Sequence, residues 1–308
     1  MRKRLIMGPI LIAALVAGLW ADQAFEGAAL PAWPGRVPPG GVILLVMIAV
    51  VLLAAREVTA VLVAKGVRAS RGLTAFAAMV GLASWVFALH AGSAVAAMGM
   101  ATGAVLVMVV SAVCLIRNRM IEGVVSGVAG ALFAFAYLGV MFGFLLAIRT
   151  QGTAWVLLWV LLVTKSCDIG AYFTGKAIGK HKMIPWLSPG KTWEGLAGGV
   201  VVAAGVSAGG MWLLLKDDGM SIPGVWWALF PGVVFAVVGQ AGDLLESVLK
   251  RDAGMKDSGA TVPGMGGVLD VIDSPLLVGP AAYWLLRWYA EAGIFSGKVA
   301  PGATALLQ

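Results

Sequence analysis

The sequence predicts an all-α polytopic integral membrane protein with about nine transmembrane helices and a polar catalytic site at the cytoplasmic face of its C-terminal half. Two observations carry this. Of the 308 residues, 60% are hydrophobic and only 12% charged, with a mean hydropathy of +0.95, too apolar for the mixed surface of a soluble domain. The apolar residues also recur in runs long enough to cross hydrocarbon, which takes about 20 residues of helix because each backbone amide must be satisfied inside the span.

The opening stretch, MRKRLIMGPILIAALVAGLW, has the basic lead and apolar core of a secretory signal, with Ala21 readable as the residue after a cleavage site. The many runs that follow favour an uncleaved first span. Apolar segments lie near residues 5–20, 40–55, 72–89, 94–116, 123–148, 153–164, 195–215, 224–241 and 275–290, the sixth being short for a span. With the N-terminus in the cytoplasm, about 17 Lys and Arg fall in loops on that side. Only about five, Arg36, Arg149, Lys216, Arg287 and Lys298, fall on the other. This bias predicts an inner (cytoplasmic) membrane protein with its N-terminus and its polar clusters facing the cytoplasm. The net charge of +7 then points to anionic lipid and not to nucleic acid. The two cysteines, Cys114 and Cys167, form neither a disulfide framework nor a metal-type spacing.

Residues 1–150 read as a transmembrane scaffold and residues 151–308 as a catalytic transmembrane domain. The first part is rich in Ala, Gly and Val, with almost no ionisable residue within its spans. Gly123, Gly127 and Gly130 there suit close helix packing, and the loop from Asp22 to Gly40 reads as an external connection without evident chemistry.

Three polar clusters stand in the second part. In LLVTKSCDIGAYFTGKAIGKHK, Lys165, Asp168 and Tyr172 share a helix face at the end of the sixth span. An aspartate there is costly unless it is paired or holds an ion, so either mutual neutralisation with Lys165 or a functional role follows. In SPGKTWEG (188–195), Ser188, Pro189 and Gly190 suggest a tight turn, placing Lys191 and Thr192 at a helix start that favours an anion. The GxxxxGK frame of a P-loop is absent. Glu194 reads as an early-turn acid of that helix or as a partner that holds a lysine. The third cluster is GQAGDLLESVLKRDAGMKDSGATVPGMGGVLDVIDS (239–274). Asp243, Glu246 and Lys250 share one helix face, and Asp270 and Asp273 form a second i, i+3 pair. Four converging carboxylates suit hard divalent cations, and the PGMGG turn lets backbone amides approach a phosphate. Internal salt bridges in a solvated loop would explain Lys250, Arg251 and Asp252, but not Asp270 and Asp273, which precede an apolar span. Carboxylates holding two magnesium ions, with lysines nearby, would neutralise a triphosphate and orient in-line attack on phosphorus. A lipid headgroup could be one reactant and a soluble nucleotide the other. No Ser-His-Asp set is present; His90 falls on the far side, and His181 reads as a loop or phosphate contact.

At these residues the chain resembles the phosphatidate cytidylyltransferase (CDP-diacylglycerol synthase) family. The family's signature is matched, in spacing, by Ser247, Lys250, Arg251, Lys256, Asp257, Ser258, Gly259, Pro263, Gly264, Gly266, Gly267, Leu269, Asp270, Asp273 and Ser274. Its lead block is matched by residues 242–247, its Ser-Pro-x-Lys-Thr-x-Glu-Gly block by residues 188–195, and its Asp-x-x-Ala-Tyr block by residues 168–172. The resemblance covers about residues 160–280. Two residues depart from it: Met265 replaces a histidine, and Val271 replaces the usual arginine. A thioether neither transfers a proton nor binds magnesium well. A phosphate monoester is already largely anionic near neutral pH, its second pKa being about 6, so the histidine reads as dispensable.

The resemblance implies a magnesium-dependent enzyme that uses CTP and phosphatidic acid and leaves CDP-diacylglycerol and pyrophosphate. It implies Asp243, Asp270 and Asp273 as magnesium ligands, supported by Asp168 and Glu246, with Lys191, Lys250, Arg251 and Lys256 neutralising phosphates. Ser188, Thr192 and the amides of Gly264, Gly266 and Gly267 would hold nucleotide or lipid phosphate. Lys165, Tyr172, Glu194, Ser247, Asp257 and Ser258 complete the expected substrate contacts. A polyprenol kinase or an ether-lipid cytidylyltransferase is the nearest rival, an ion-coupled transporter a rival from another class, and a non-catalytic scaffold a third. Charges gathered at one membrane face argue against the transporter. The abundant small-residue helix faces also suit a homodimer.

Overall fold

The computed structural model describes residues 2–29, 36–89, 91, 93–117, 121–215 and 224–294, without the side chains of residues 2–6 and 93. His90, read above as falling on the far side, and Lys216 and Lys298 of the charge argument lie outside the described residues. The chain is helical almost throughout: α1 (Arg2–Phe25), α2 (Gly41–Ala64), α3 (Arg71–Ala88), α4 (Ser93–Ile116), α5 (Val124–Ala134), a π-helical stretch (Phe135–Val140), α6 (Met141–Gln151), α7 (Ala154–Ile178), strands β1 (Lys182–Ile184) and β2 (Ser188–Thr192), α8 (Trp193–Leu215), α9 (Val225–Asp252) and α10 (Leu269–Glu291). Among the described residues nine helical segments are long and apolar enough to cross a membrane, α5 to α6 counting as one continuous segment over Val124–Gln151. Each coincides with one of the nine apolar runs read from the sequence. This is an all-α polytopic membrane protein.

The sixth span is not short. Helix α7 runs for 25 residues, because its backbone hydrogen bonding continues through Lys165, Asp168 and Tyr172 after the uninterrupted apolar run has ended. The SPG stretch is not the turn either. Ser188, Pro189 and Gly190 lie in β2, which pairs antiparallel with β1, and the turn falls at 185–187. The loop from Asp22 is also less idle than its composition suggests. Asp22 ends up fully buried on α1 and pairs with Arg149, itself 1% exposed; Arg149 also reaches Glu26 at 2.8 Å. Asp22 further accepts from the N–H groups of Gly40 (3.2 Å) and Val42 (2.9 Å), and Arg149 donates to the Gly152 carbonyl (3.0 Å). A buried ion pair survives only when its remaining donors and acceptors are met in this way.

By internal contacts the chain groups into two compact units interleaved in sequence. One comprises Met1–Ala14, Ile43–Ala147 and Val248–Ile272, the other Leu15–Val42, Ile148–Ser247 and Asp273–Gln308. In the first unit, Leu73, Ala77, Val107, Ala131, Ala134 and Phe135 form a core cluster. Helix α3 starts on Ser70, whose side chain accepts from Leu73 N–H at 3.2 Å. It then meets the π-helical stretch so closely that a Cβ on Gly81 would stand 2.5 Å from the Phe135 carbonyl oxygen. In the second unit, Trp159 lies edge-on to Phe235 (5.7 Å) and donates to the Ser207 carbonyl at 3.1 Å, and the Tyr289 hydroxyl donates to Trp227 O at 2.8 Å. Large apolar side chains such as Val125, Val201 and Met98 stay exposed, as lipid-facing positions do.

Candidate active site

In the second unit, close helix contacts create the site. On α9 the face Gly239, Gly242, Glu246 turns toward α10: a Cβ on Gly242 would stand 2.7 Å from the Asp273 carbonyl oxygen, and one on Gly239 would stand 3.6 Å from Ser274 Cβ. At Gly242 only glycine permits that approach, which brings Asp273 alongside Asp243 and Glu246. One carboxylate oxygen from each of Asp243, Glu246 and Asp273 lies within 4.8 Å of the others. Glu246 is fully buried and Asp273 is 5% exposed.

Two ammonium groups face this trio. Lys165 Nζ, on α7, stands 3.4 Å from Asp273 Oδ1 and 3.2 Å from Asp168 Oδ2. Lys191 Nζ, on β2, stands 2.7 Å from Asp243 Oδ2. Lys165 therefore neutralises Asp168, as one of the two readings had it, and also reaches Asp273. Lys191 is brought in by the glycine-lined contact of α7 with α8. A Cβ on Gly195 would stand 2.9 Å from Ala171 O, and one on Gly170 would stand 3.1 Å from Gly199 Cα. Thr192 is buried and caps α8, its Oγ1 accepting from Gly195 N–H at 3.1 Å. Glu194 is the early-turn acid of α8. It accepts from the N–H groups of Lys180 and His181 (each 3.2 Å) and stands 2.5 Å from His181 Nδ1, so it holds the approach to the hairpin and not a lysine ammonium. Tyr172 is exposed beneath Lys176, 5.9 Å from the ring centroid. Ser188 and Ser247 are half-buried on β2 and α9.

The first unit carries the rest of the signature as a separate, tightly bonded group. Lys250 Nζ pairs with Asp270 Oδ1 at 2.5 Å, both side chains nearly buried. Asp270 Oδ2 accepts from Ser258 N–H (3.0 Å), the Ser258 hydroxyl (2.8 Å) and Gly267 N–H (2.7 Å). That oxygen is saturated, and Oδ1 is shared with Lys250, so Asp270 takes up a cation only by loosening these donors. Gly264 and Gly266 have φ of +82° and +99°, which glycine alone adopts without strain. Met265 sits between them, half-buried, its N–H donating to Val262 O at 3.1 Å. Arg251, Lys256 and Asp257 are exposed; of these the two cations can meet a solvent-borne anion, Arg251 while one of its N–H groups donates to Met255 O at 3.2 Å.

One residue escaped the sequence reading. Glu57, on α2 of the supposed scaffold, is 5% exposed and accepts from Thr261, Val268 and Leu269, with the Ser258 hydroxyl shared between it and Asp270. The signal was available, since Glu57 is the only carboxylate in the apolar run Gly41–Ala64, and a carboxylate within a span calls for a partner.

Comparison with known proteins completes the picture. Residues 35–289 match the model of the Cytidylyltransferase family. The chain belongs to that family. It is 39% identical over 158 residues to the phosphatidate cytidylyltransferase of Staphylococcus haemolyticus (strain JCSC1435), covering 51% of this chain and 58% of the relative. It is 40% identical over 159 residues to the phosphatidate cytidylyltransferase of Bacillus subtilis (strain 168), covering 51% and 57%. The uncharacterized protein YnbB of Escherichia coli (strain K12) is 39% identical over 138 residues, covering 45% and 44%. The matched stretch therefore spans a little over half the length of the first two relatives. The family match runs through both units, from before α2 to the last turn of α10.

Proposed function

We propose that this membrane protein transfers a cytidylyl group from CTP to phosphatidic acid. A phosphate oxygen of the lipid bonds to the α-phosphorus of CTP as the bond from that phosphorus to the bridging oxygen of the β-phosphate breaks. Pyrophosphate leaves and CDP-diacylglycerol stays in the membrane. The observation that carries this is the convergence of Asp243, Glu246 and Asp273 with Lys165 and Lys191 facing them.

Three mostly buried carboxylates whose oxygens converge repel one another, and hard oxygen donors suit magnesium. These residues fit a divalent cation, with Asp168 in support. Bound magnesium would neutralise triphosphate charge and polarise the reacting phosphorus. The chain's own groups do the rest. Lys191 and Lys165 hold the trio in register and add positive charge, and Thr192 fixes the helix start beside Lys191. By the motif match, Lys250, Arg251 and Lys256 neutralise phosphate, Asp270 orients Lys250, and Ser188, Asp257 and the glycine-turn amides contact substrate. Catalysis is then positioning and electrostatics, with no protein base, since the attacking phosphate is already largely ionised with a second pKa of about 6. The excess of Lys and Arg in the loops on the side of the N-terminus supports an N-terminus and a site that face the cytoplasm, where CTP is available.

The test is pyrophosphate release by the purified protein in detergent with magnesium, CTP and phosphatidic acid, each omitted in turn. The reading requires dependence on all three and a lipid product that carries cytidine. Turnover with a polyprenol or an ether lipid in place of phosphatidic acid would move the reading to that acceptor.

A further inference from the structure

We infer that Glu57 is a positioning residue for the transfer reaction, acting through the signature loop that it holds. The inference rests on the transferase reading above for its kinetic part and on geometry alone for the rest. Glu57 lies seven residues before the end of α2, about 10 Å along a helix that rises 1.5 Å per residue. Its neighbours Ala54, Ala55, Val58 and Val61 are buried apolar residues. An ionised group in such surroundings persists only if its oxygens are fully engaged.

They are engaged by one stretch of chain some 200 residues away. Oε1 accepts from the Thr261 hydroxyl (2.7 Å) and Val268 N–H (2.9 Å); Oε2 accepts from Leu269 N–H (2.8 Å) and lies 3.0 Å from the Ser258 hydroxyl. Leu269 is the first residue of α10, so Glu57 takes up N–H groups at the helix start and favours its positive end. The same carboxylate explains two signature glycines. A Cβ on Gly259 would stand 2.8 Å from Oε1, and one on Gly267 would fall on the Ser258 hydroxyl and the Glu57 carboxylate. Gly267 is a glycine here because Glu57 occupies the space, in addition to any approach to phosphate.

The contacts continue toward signature residues. The Ser258 hydroxyl lies between Glu57 and Asp270, and Asp270 accepts from Ser258 and Gly267 while it pairs with Lys250. Ser258 has a single hydroxyl proton to share between the two carboxylates, so a shift of Glu57 reorganises the contacts of Asp270. A helix of the apparent scaffold thereby sets where the loop, Asp270 and Lys250 stand.

Glu57→Gln tests this in the full-length protein in detergent. The amide keeps one acceptor oxygen and presents N–H groups at the other position. Ser258 and Thr261 can reverse their hydroxyls to accommodate it, but the backbone N–H of Val268 or Leu269 cannot. The expected result is a fall in kcat of about 30-fold, with Mn²⁺ affinity within threefold of wild type and a thermal midpoint within a few degrees. Hydrogen exchange should rise at least tenfold in the peptide spanning 257–270 and stay unchanged in α3 and α4. Thr261→Ala, which removes one donor and leaves the carboxylate, should reproduce a milder form of the same pattern, and it decides the matter if Glu57→Gln does not fold. Glu291→Gln serves as a surface control. Turnover of Glu57→Gln within twofold of wild type would overturn the inference, as would exchange rising equally in all helices. If the wild-type protein releases no pyrophosphate, the transferase reading has failed. The exchange data then still decide whether Glu57 holds the loop.

Discussion

Asp243, Glu246 and Asp273 in one unit, and Glu57 and Asp270 in the other, are both groups of carboxylates that are buried or, for Asp243, about one-third exposed, yet they are surrounded differently. The oxygens of the first group converge on one another, with two lysines at the edge and the N–H and hydroxyl of Ser274 on Asp273 Oδ1. Those of the second face backbone N–H groups, hydroxyls and one lysine. What lies opposite a carboxylate separates a candidate cation ligand from a residue that holds backbone in place. Burial and charge alone do not distinguish the two.

The largest effect is expected where carboxylates face carboxylates. Asp273→Asn and Asp243→Asn should each lower turnover by at least about 100-fold, because a bound cation supplies several kcal/mol of charge stabilisation and each tenfold corresponds to about 1.4 kcal/mol. Initial rates at saturating CTP check this. Next comes the Lys250–Asp270 pair. Lys250→Met strands Asp270 in a nearly buried site and should cost about 3–5 kcal/mol, read as a lowered thermal midpoint. Adding Asp270→Asn should recover most of that loss, whereas a pair that served only catalysis would show no recovery of stability. Gly267→Ala should cost about 1–3 kcal/mol by overpacking against Ser258 and Glu57, with accelerated exchange at residues 257–270. Met265→His should change turnover by less than about threefold, since the acceptor phosphate is already ionised near its second pKa of about 6. The smallest effect belongs to Lys65→Ala. Its pair with Asp252 is about half exposed on both sides, and its loss should move stability by under about 1 kcal/mol.

The fold was almost wholly legible in the sequence, because a span must satisfy its own backbone and so writes its length in consecutive apolar residues. The errors arose where helix and hydropathy part company. Helix α7 continues past its apolar run through Lys165 and Asp168, and SPG, which reads as a turn, pairs with the following Lys191 and Thr192 as a strand. For the site, residue types and spacing along two successive helices pointed to four converging carboxylates, Asp243, Glu246, Asp270 and Asp273. They did not show that Asp270 is engaged by Lys250, Ser258 and Gly267, since those contacts depend on the path of the loop. Glu57 and the Asp22–Arg149 pair depend on contacts between residues more than 100 positions apart, which no local pattern encodes. A lone acid inside an apolar run was the one hint.

The central claim, that Asp243, Glu246 and Asp273, and not Glu57, hold the divalent cation, is tested most directly by Mn²⁺ titration of wild type, Asp273→Asn and Glu57→Gln, followed by electron paramagnetic resonance. The account predicts saturable binding to wild type, binding at least tenfold weaker to Asp273→Asn, and near wild-type binding to Glu57→Gln. Wild-type affinity in Asp273→Asn would contradict it.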